Sequence, residues 1–142
     1  MVNQEHQHSV SVAGVVVNEA GRVLLIRRRD NAHWEAPGGV LELNESIEEG
    51  MRREVREETG LDVEPITLTG VYKNMVRGVI ALVFRCIVVT GELTTNPEVT
   101  AFHWATSEEV TAMVDEAFAI RVLDALHGGP PAVRQHDGTK LL

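Results

Sequence analysis

The stretch from Gly39 to Leu61, GVLELNESIEEGMRREVREETGL, constrains this chain more than any other. Its signals predict a helix over 46–59. Asn44 and Ser46 offer a start, Glu48 and Glu49 fall in the first turn, and Gly60 stands where a left-handed cap would end the helix. At about 100° per residue, Ile47, Met51 and Val55 form one apolar stripe that should face the core. Glu54 and Glu58 fall on or beside that stripe and Glu57 flanks it, whereas Arg52, Arg56 and Glu48 point the other way. Carboxylates gathered in a partly buried place repel one another and lose hydration, so they take up protons or hold a cation. Cation binding is favoured. The competing reading is a solvated helix laced by Glu49 to Arg53 and Arg53 to Glu57 pairs at i,i+4 spacing, and periodicity alone leaves both open.

The exact string changes the balance. Gly39, five residues, Glu45, seven residues, Arg53-Glu54-Val55, one residue, Glu57-Glu58, one residue and Gly60-Leu61 resembles the Nudix box at all nine specified positions. The resemblance extends over about residues 8–126, with the box as its only sharp part. It implies an α+β fold, an α/β/α sandwich with a mixed central sheet. It also implies a magnesium site, with manganese as the alternative ion, in which Glu57 and Glu58 are primary ligands. Glu54 is then a ligand or the acceptor of a proton from water, the Gly38 carbonyl is a further ligand, and Arg53 orients the carboxylates through Glu57 and Glu45.

Length and composition set the frame. The chain has 142 residues and a net charge of -8, of which the box supplies half through seven acids against three arginines. One domain is expected, preceded by a flexible polar start over 1–7 and followed by a loosely held extension over 127–142. A net acidic chain without a basic stripe is a poor partner for duplex nucleic acid. The polar start lacks the apolar segment of a secretory signal, and no apolar run reaches membrane-spanning length, so a cytoplasmic protein is expected. Cys86, the single cysteine, lies in an apolar run and reads as a core thiol.

Around the helix, residues 10–17 read as a strand buried on both faces, turning at 18–21 into a hairpin with a returning strand over 22–28. A basic residue at that strand's end is plain solubility by itself, but the resemblance implies that one there meets the nucleotide or its phosphates, and Arg28 takes that place. The sequence Pro37-Gly38-Gly39 removes side chains so that backbone can approach an ion or phosphate, and Gly39 is a candidate substrate contact. Strands are expected over 66–72, 79–89 and 99–104, with the loop 73–78 between the first two. Lys73, Asn74 and Arg77 read as ordinary turn residues, but the fold implied by the resemblance puts this loop near the variable part of the substrate, with Arg77 as the candidate contact. Glu98 precedes a strand ending in Trp104; the resemblance implies that an acid there joins the metal site or acts as base. Thr106-Ser107-Glu108-Glu109 opens one or two helices with core positions Val110, Met113, Val114, Phe118, Val122 and Leu126.

The function implied is hydrolysis of a phosphoanhydride in a nucleoside diphosphate derivative. The chain is similar to MutT-type enzymes, which split a nucleoside triphosphate, oxidised dGTP among them, into monophosphate and pyrophosphate. ADP-ribose, nucleotide sugars and diadenosine polyphosphates are the alternative substrates, and a non-catalytic nucleotide sensor is the alternative function. Family members are often homodimers.

Overall fold

The strand β1 (Ser9–Val16) explains why its sequence does not alternate with polar residues. Val12 and Val16 enter one apolar core, while Ala13 and Val15 enter another on the opposite face. The computed structural model describes residues 6–142, so of the start expected to be flexible only Gln7 and the residue before it are described.

Among the described residues, eight strands and three helices follow the order β1, β2 (Val23–Arg28), β3 (Trp34–Glu35), β4 (Gly38–Val40), α1 (Ile47–Thr59), β5 (Leu61–Asn74), β6 (Val79–Gly91), β7 (Val99–Ala105), α2 (Ser107–Met113), α3 (Glu116–His127) and β8 (Ala132–His136). A five-stranded mixed sheet runs β4-β1-β6-β5-β8, with β1 parallel to β6 and β5 parallel to β8. A three-stranded antiparallel sheet runs β3-β2-β7. Helix α1 covers the core that holds Val12, Met51, Val55 and Cys86, and α2 and α3 cover the other. This is the layered α+β architecture that the sequence implied. Among the described residues no helix is long and apolar enough to cross a membrane.

The expected hairpin of the first two strands is corrected. The chain does reverse, with Asn18 Oδ1 accepting from the backbone of Ala20 and Arg22, both at 3.0 Å. Beyond a single Val17–Val23 bridge, however, β1 and β2 enter different sheets. Like β1, β2 is apolar on both faces, Leu24 in one core and Val23 and Leu25 in the other. Diverging lets each strand be covered twice, which a two-stranded ribbon cannot provide.

Helix α1 is built as its ends announce. Ser46 caps it in a reciprocal capping box with Glu49, and Gly60 adopts φ 85° at its end. Met51 and Val55 are fully buried, but Ile47 is 43% exposed, so the apolar stripe starts one turn later than its spacing suggested. The helix lies close on β1 because Gly14 has no side chain: a β-carbon there would stand 2.9 Å from Val55 Cγ2 and 3.3 Å from Cys86 Sγ. Cys86 is the buried thiol expected, pushed up to about 12 by burial.

Two further boundaries differ. The strand expected to start at Ile66 begins at Leu61, directly after the cap. Pro65 is tolerated because the β5–β6 register shifts between Pro65 and Thr67. The tail is not loosely held. Its strand β8 extends the main sheet beside β5, His136 is 1% exposed, and Arg134 grips Asp124 through two bonds of 2.8 Å. Tyr72 donates to the same carboxylate at 2.8 Å. Thr139 and Leu141 then bond back to the start of α3.

Candidate active site

Glu58 lies in the last turn of α1, 9% exposed, and the backbone N–H of Gly38 donates to its Oε1 at 2.6 Å. Burial pushes its carboxyl up to about 8; the Gly38 bond opposes the shift, and the charges of Glu54, Glu35 and Glu98 add to it. One turn earlier, Glu54 packs against Gly39 so closely that any β-carbon at 39 would overlap its carboxylate. Burial raises its pKa too, with Arg53 opposing. The paired glycines therefore serve two acids: one amide holds Glu58, and one bare Cα makes room for Glu54.

Arg53 reaches both acids, Glu45 and Glu57, that its spacing put within range. Its Nε and Nη2 donate to Glu45 at 2.9 and 2.7 Å, Nη2 also to the Val40 carbonyl at 3.1 Å, and Nη1 to Glu54 at 2.9 Å and Glu57 at 3.2 Å. Glu45 is held down to about 2 by Arg53 and by the Glu42 backbone N–H. One guanidinium thus fastens the loop before α1, through Glu45 and Val40, to two carboxylates of the helix, Glu54 and Glu57. Arg52 and Arg56, on the outer face, pair with Glu64 and Asp62 of β5 instead.

Glu98 reaches the same place from a distant part of the chain. A cleft of about 630 Å³ is lined by Glu54, Glu58 and Glu98 together with Gly38, Gly39 and Arg28. Asn96 sets this up: its Nδ2 donates to the Glu58 carbonyl at 2.9 Å, and its Oδ1 accepts the Glu98 N–H at 2.9 Å. Arg29 clamps the loop by donating to the carbonyls of Pro97, at 2.8 Å, and Asn96, at 3.3 Å. Neither positioning residue is singled out by the sequence: Asn96-Pro97 reads only as a turn, and Arg29 as one of three consecutive arginines.

The remaining candidates divide. Arg28 stands in the cleft wall, half exposed, bound to Asp30 and to Glu35, and kept fully charged by them. Arg77, exposed on the β5–β6 turn, borders a second cavity of about 330 Å³ that shares Arg28, Gly38, Gly39 and Val40 with the first. Glu57 is not among the residues lining the carboxylate cleft; its side chain is 59% exposed and turned to Arg53. Among the described residues no three His, Cys, Asp or Glu side chains form a ready cluster for an ion. What the site offers is hard oxygen donors, partly desolvated and mutually repelling, with Arg53 bound to one of them, Glu54. That donor set fits magnesium or manganese, which prefer carboxylates, carbonyls and water.

The NUDIX domain family model matches residues 7–126. A MutT-like protein of Streptomyces ambofaciens is 59% identical over 95% of this chain and 88% of its own length. An ADP-ribose pyrophosphatase of Methanocaldococcus jannaschii is 38% identical over 60% of this chain and 54% of its own length. The crystal structure of a MutT protein from Methanosarcina mazei superposes with a TM-score of 0.74 at 29% identity, covering 85% of this chain and 94% of that one.

Proposed function

The chain belongs to the NUDIX domain family, and from that premise we propose that it is a metal-dependent pyrophosphohydrolase of nucleoside diphosphate derivatives. The observation that carries this reading is the convergence of Glu54, Glu58 and Glu98 on one cleft whose wall is the glycine pair. Glu54, Glu58 and the Gly38 carbonyl would hold magnesium or manganese, and Glu57, whose exposed side chain is turned to Arg53, would join them by swinging into the cleft. The chemistry such an ion supplies is neutralisation of the diphosphate and a lower pKa for a bound water.

The chain's own groups do the rest. Arg53 holds Glu54 against Gly39 and fixes the loop that closes the helix start, so the donors are preorganised before substrate arrives. Glu54 is bound by that guanidinium and suits a ligand's role. Glu98 makes no side-chain ion pair among the described residues and is the group to take the proton from the attacking water. Arg28 faces the cleft as the cation for phosphate oxygens.

The preferred substrate is a nucleoside triphosphate, oxidised dGTP included, split to monophosphate and pyrophosphate. The MutT-like relative, which is matched over most of its length, supports that choice. The shorter match to a protein named ADP-ribose pyrophosphatase keeps ADP-ribose as the runner-up. The test is a hydrolysis screen with magnesium over ordinary and oxidised nucleoside triphosphates, ADP-ribose, nucleotide sugars and diadenosine polyphosphates, with products resolved by mass. Monophosphate and pyrophosphate from a triphosphate is the expected result. Binding of one compound without cleavage of any would replace the enzyme with a nucleotide sensor.

A further inference from the structure

The second cavity is lined by a cation, Arg121, whose N–H groups find no clear acceptor among the described residues. Arg121, on α3, stacks on the rings of Phe118 at 4.7 Å and Tyr72 at 5.3 Å from their centroids. Its Nε is buried with no hydrogen-bond partner among the described residues. Its Nη2 lies 3.3 Å from His136 Nε2, which resembles a bond but is not one. His136 Nδ1 accepts the Gly138 N–H at 2.9 Å, so the ring proton is on Nε2 and two donors face each other. Stacking stabilises the charge but leaves the in-plane N–H groups unmet. Facing donors are costly, and the Nη2–Nε2 part of this arrangement is relieved when an oxygen enters the cavity and accepts from Arg121 Nη2 and His136 Nε2.

The cavity also contains an acceptor. Glu35, on β3, lines it, and Arg28 Nη1 holds its Oε1 at 3.2 Å, leaving Oε2 for a ligand. A phosphate would satisfy Arg121 but would be repelled by Glu35. A carbonyl beside ring N–H groups satisfies both. Guanine presents that edge, with O6 for Arg121 and His136 and two adjoining N–H donors for the carboxylate. Adenine presents the reverse, an amino group toward the guanidinium and a lone pair toward the carboxylate. We propose that Glu35, Arg121 and His136 read the carbonyl and N–H edge of a guanine-type base, making them the specificity-determining residues of this cleft.

The proposal rests on the reading that the cleft takes a nucleotide. The helix residue Arg121 and the tail residue His136 meet only because β8 closes the sheet beside β5.

The experiment measures kcat/KM for dGTP and dATP with magnesium, in the wild type and in Arg121→Gln and Glu35→Gln, with thermal melts to show that each variant folds. Calorimetric binding of GMP and AMP to the wild type runs beside it. The expected result is a wild-type preference for dGTP that falls about tenfold or more in each variant, with GMP binding more tightly than AMP. Equal loss on dGTP and dATP, or an unchanged ratio, would overturn the proposal by reducing these residues to packing. Should Arg121→Gln not fold, the Glu35→Gln ratio and the GMP to AMP comparison decide it alone. Tight GMP and weak AMP binding without hydrolysis of any triphosphate would sustain base recognition while overturning the catalytic reading. Hydrolysis with no base preference would do the opposite.

Discussion

The carboxylate of Glu54 rests on the bare Cα of Gly39, with no room for a β-carbon between them. Gly39 is not in the left-handed region, so alanine is acceptable to the backbone and its methyl group acts only by pushing Glu54 away. Gly39→Ala should therefore lower kcat by about tenfold to a hundredfold, the usual effect of misplacing a catalytic group by about 1 Å. The melting temperature should hardly move. Steady-state kinetics beside a thermal melt separates the two, and unchanged turnover would mean that Glu54 does not act from where it lies.

Arg53 bonds to Glu45, Glu54, Glu57 and the Val40 carbonyl at once, a pattern that needs the planar fork of a guanidinium. Arg53→Ala should weaken magnesium dependence and turnover together by about tenfold to a hundredfold. Arg53→Lys should recover little, because an ammonium cannot span the same acceptors. Titrating activity against magnesium in both variants checks this, and full activity in the lysine variant would show that charge alone suffices.

Glu58 makes the metal-free protein sensitive to pH. Its folded pKa is raised to about 8 from an ordinary 4.5, so the folded state holds a proton that the unfolded chain has released. The stability tied to that proton is complete below about pH 4.5 and is lost as pH rises through about 8. Without metal, melting temperature should fall across that window, and added magnesium should raise it more at the alkaline end. In Glu58→Gln both slopes should flatten. Melting curves with chelator and with magnesium across the window read this directly, and a slope that persists in the glutamine variant would assign it elsewhere.

Tyr72 is fully buried, and its hydroxyl joins Asp124 of α3, which Arg134 of β8 also holds. Removing that hydroxyl in Tyr72→Phe should cost about 1–2 kcal/mol in denaturant unfolding. Deleting 131–142 should cost more, since it uncovers the buried Tyr72 and removes His136 and Arg134 together. Deletion without loss of stability would return the tail to the status of a loose extension.

What could be read from the sequence follows from which signals are local. Helix α1 was legible to within one residue because Ser46, Glu49 and Gly60 are caps with their own chemistry. Ile47 was misjudged because a period of 3.6 gives a direction but not where neighbouring elements end. The β1–β2 hairpin was misread for a similar reason: a turn at Asn18 reports reversal, not pairing. Strand β8 was missed because AVRQH is anchored by Arg134, His136 and a distant Asp124, not by an apolar pattern. At the candidate site, the resemblance of the box, and not helix periodicity, is what singles out Glu54, Glu58 and Arg53. Asn96, Arg29, Glu35 and Arg121 act across the fold and left little local trace, although an arginine on the core side of α3, beside Phe118 and Val122, was a signal that could have been followed.

The most direct measurement of the central claim is turnover of a nucleoside triphosphate at saturating magnesium by Glu58→Gln, with a melt confirming the fold. Glutamine keeps the shape and an acceptor for the Gly38 N–H while removing the charge. The account predicts a loss of orders of magnitude in a protein at least as stable as the wild type without metal. Turnover near that of the wild type would contradict it, because the cleft's most buried carboxylate would then have no part in the chemistry.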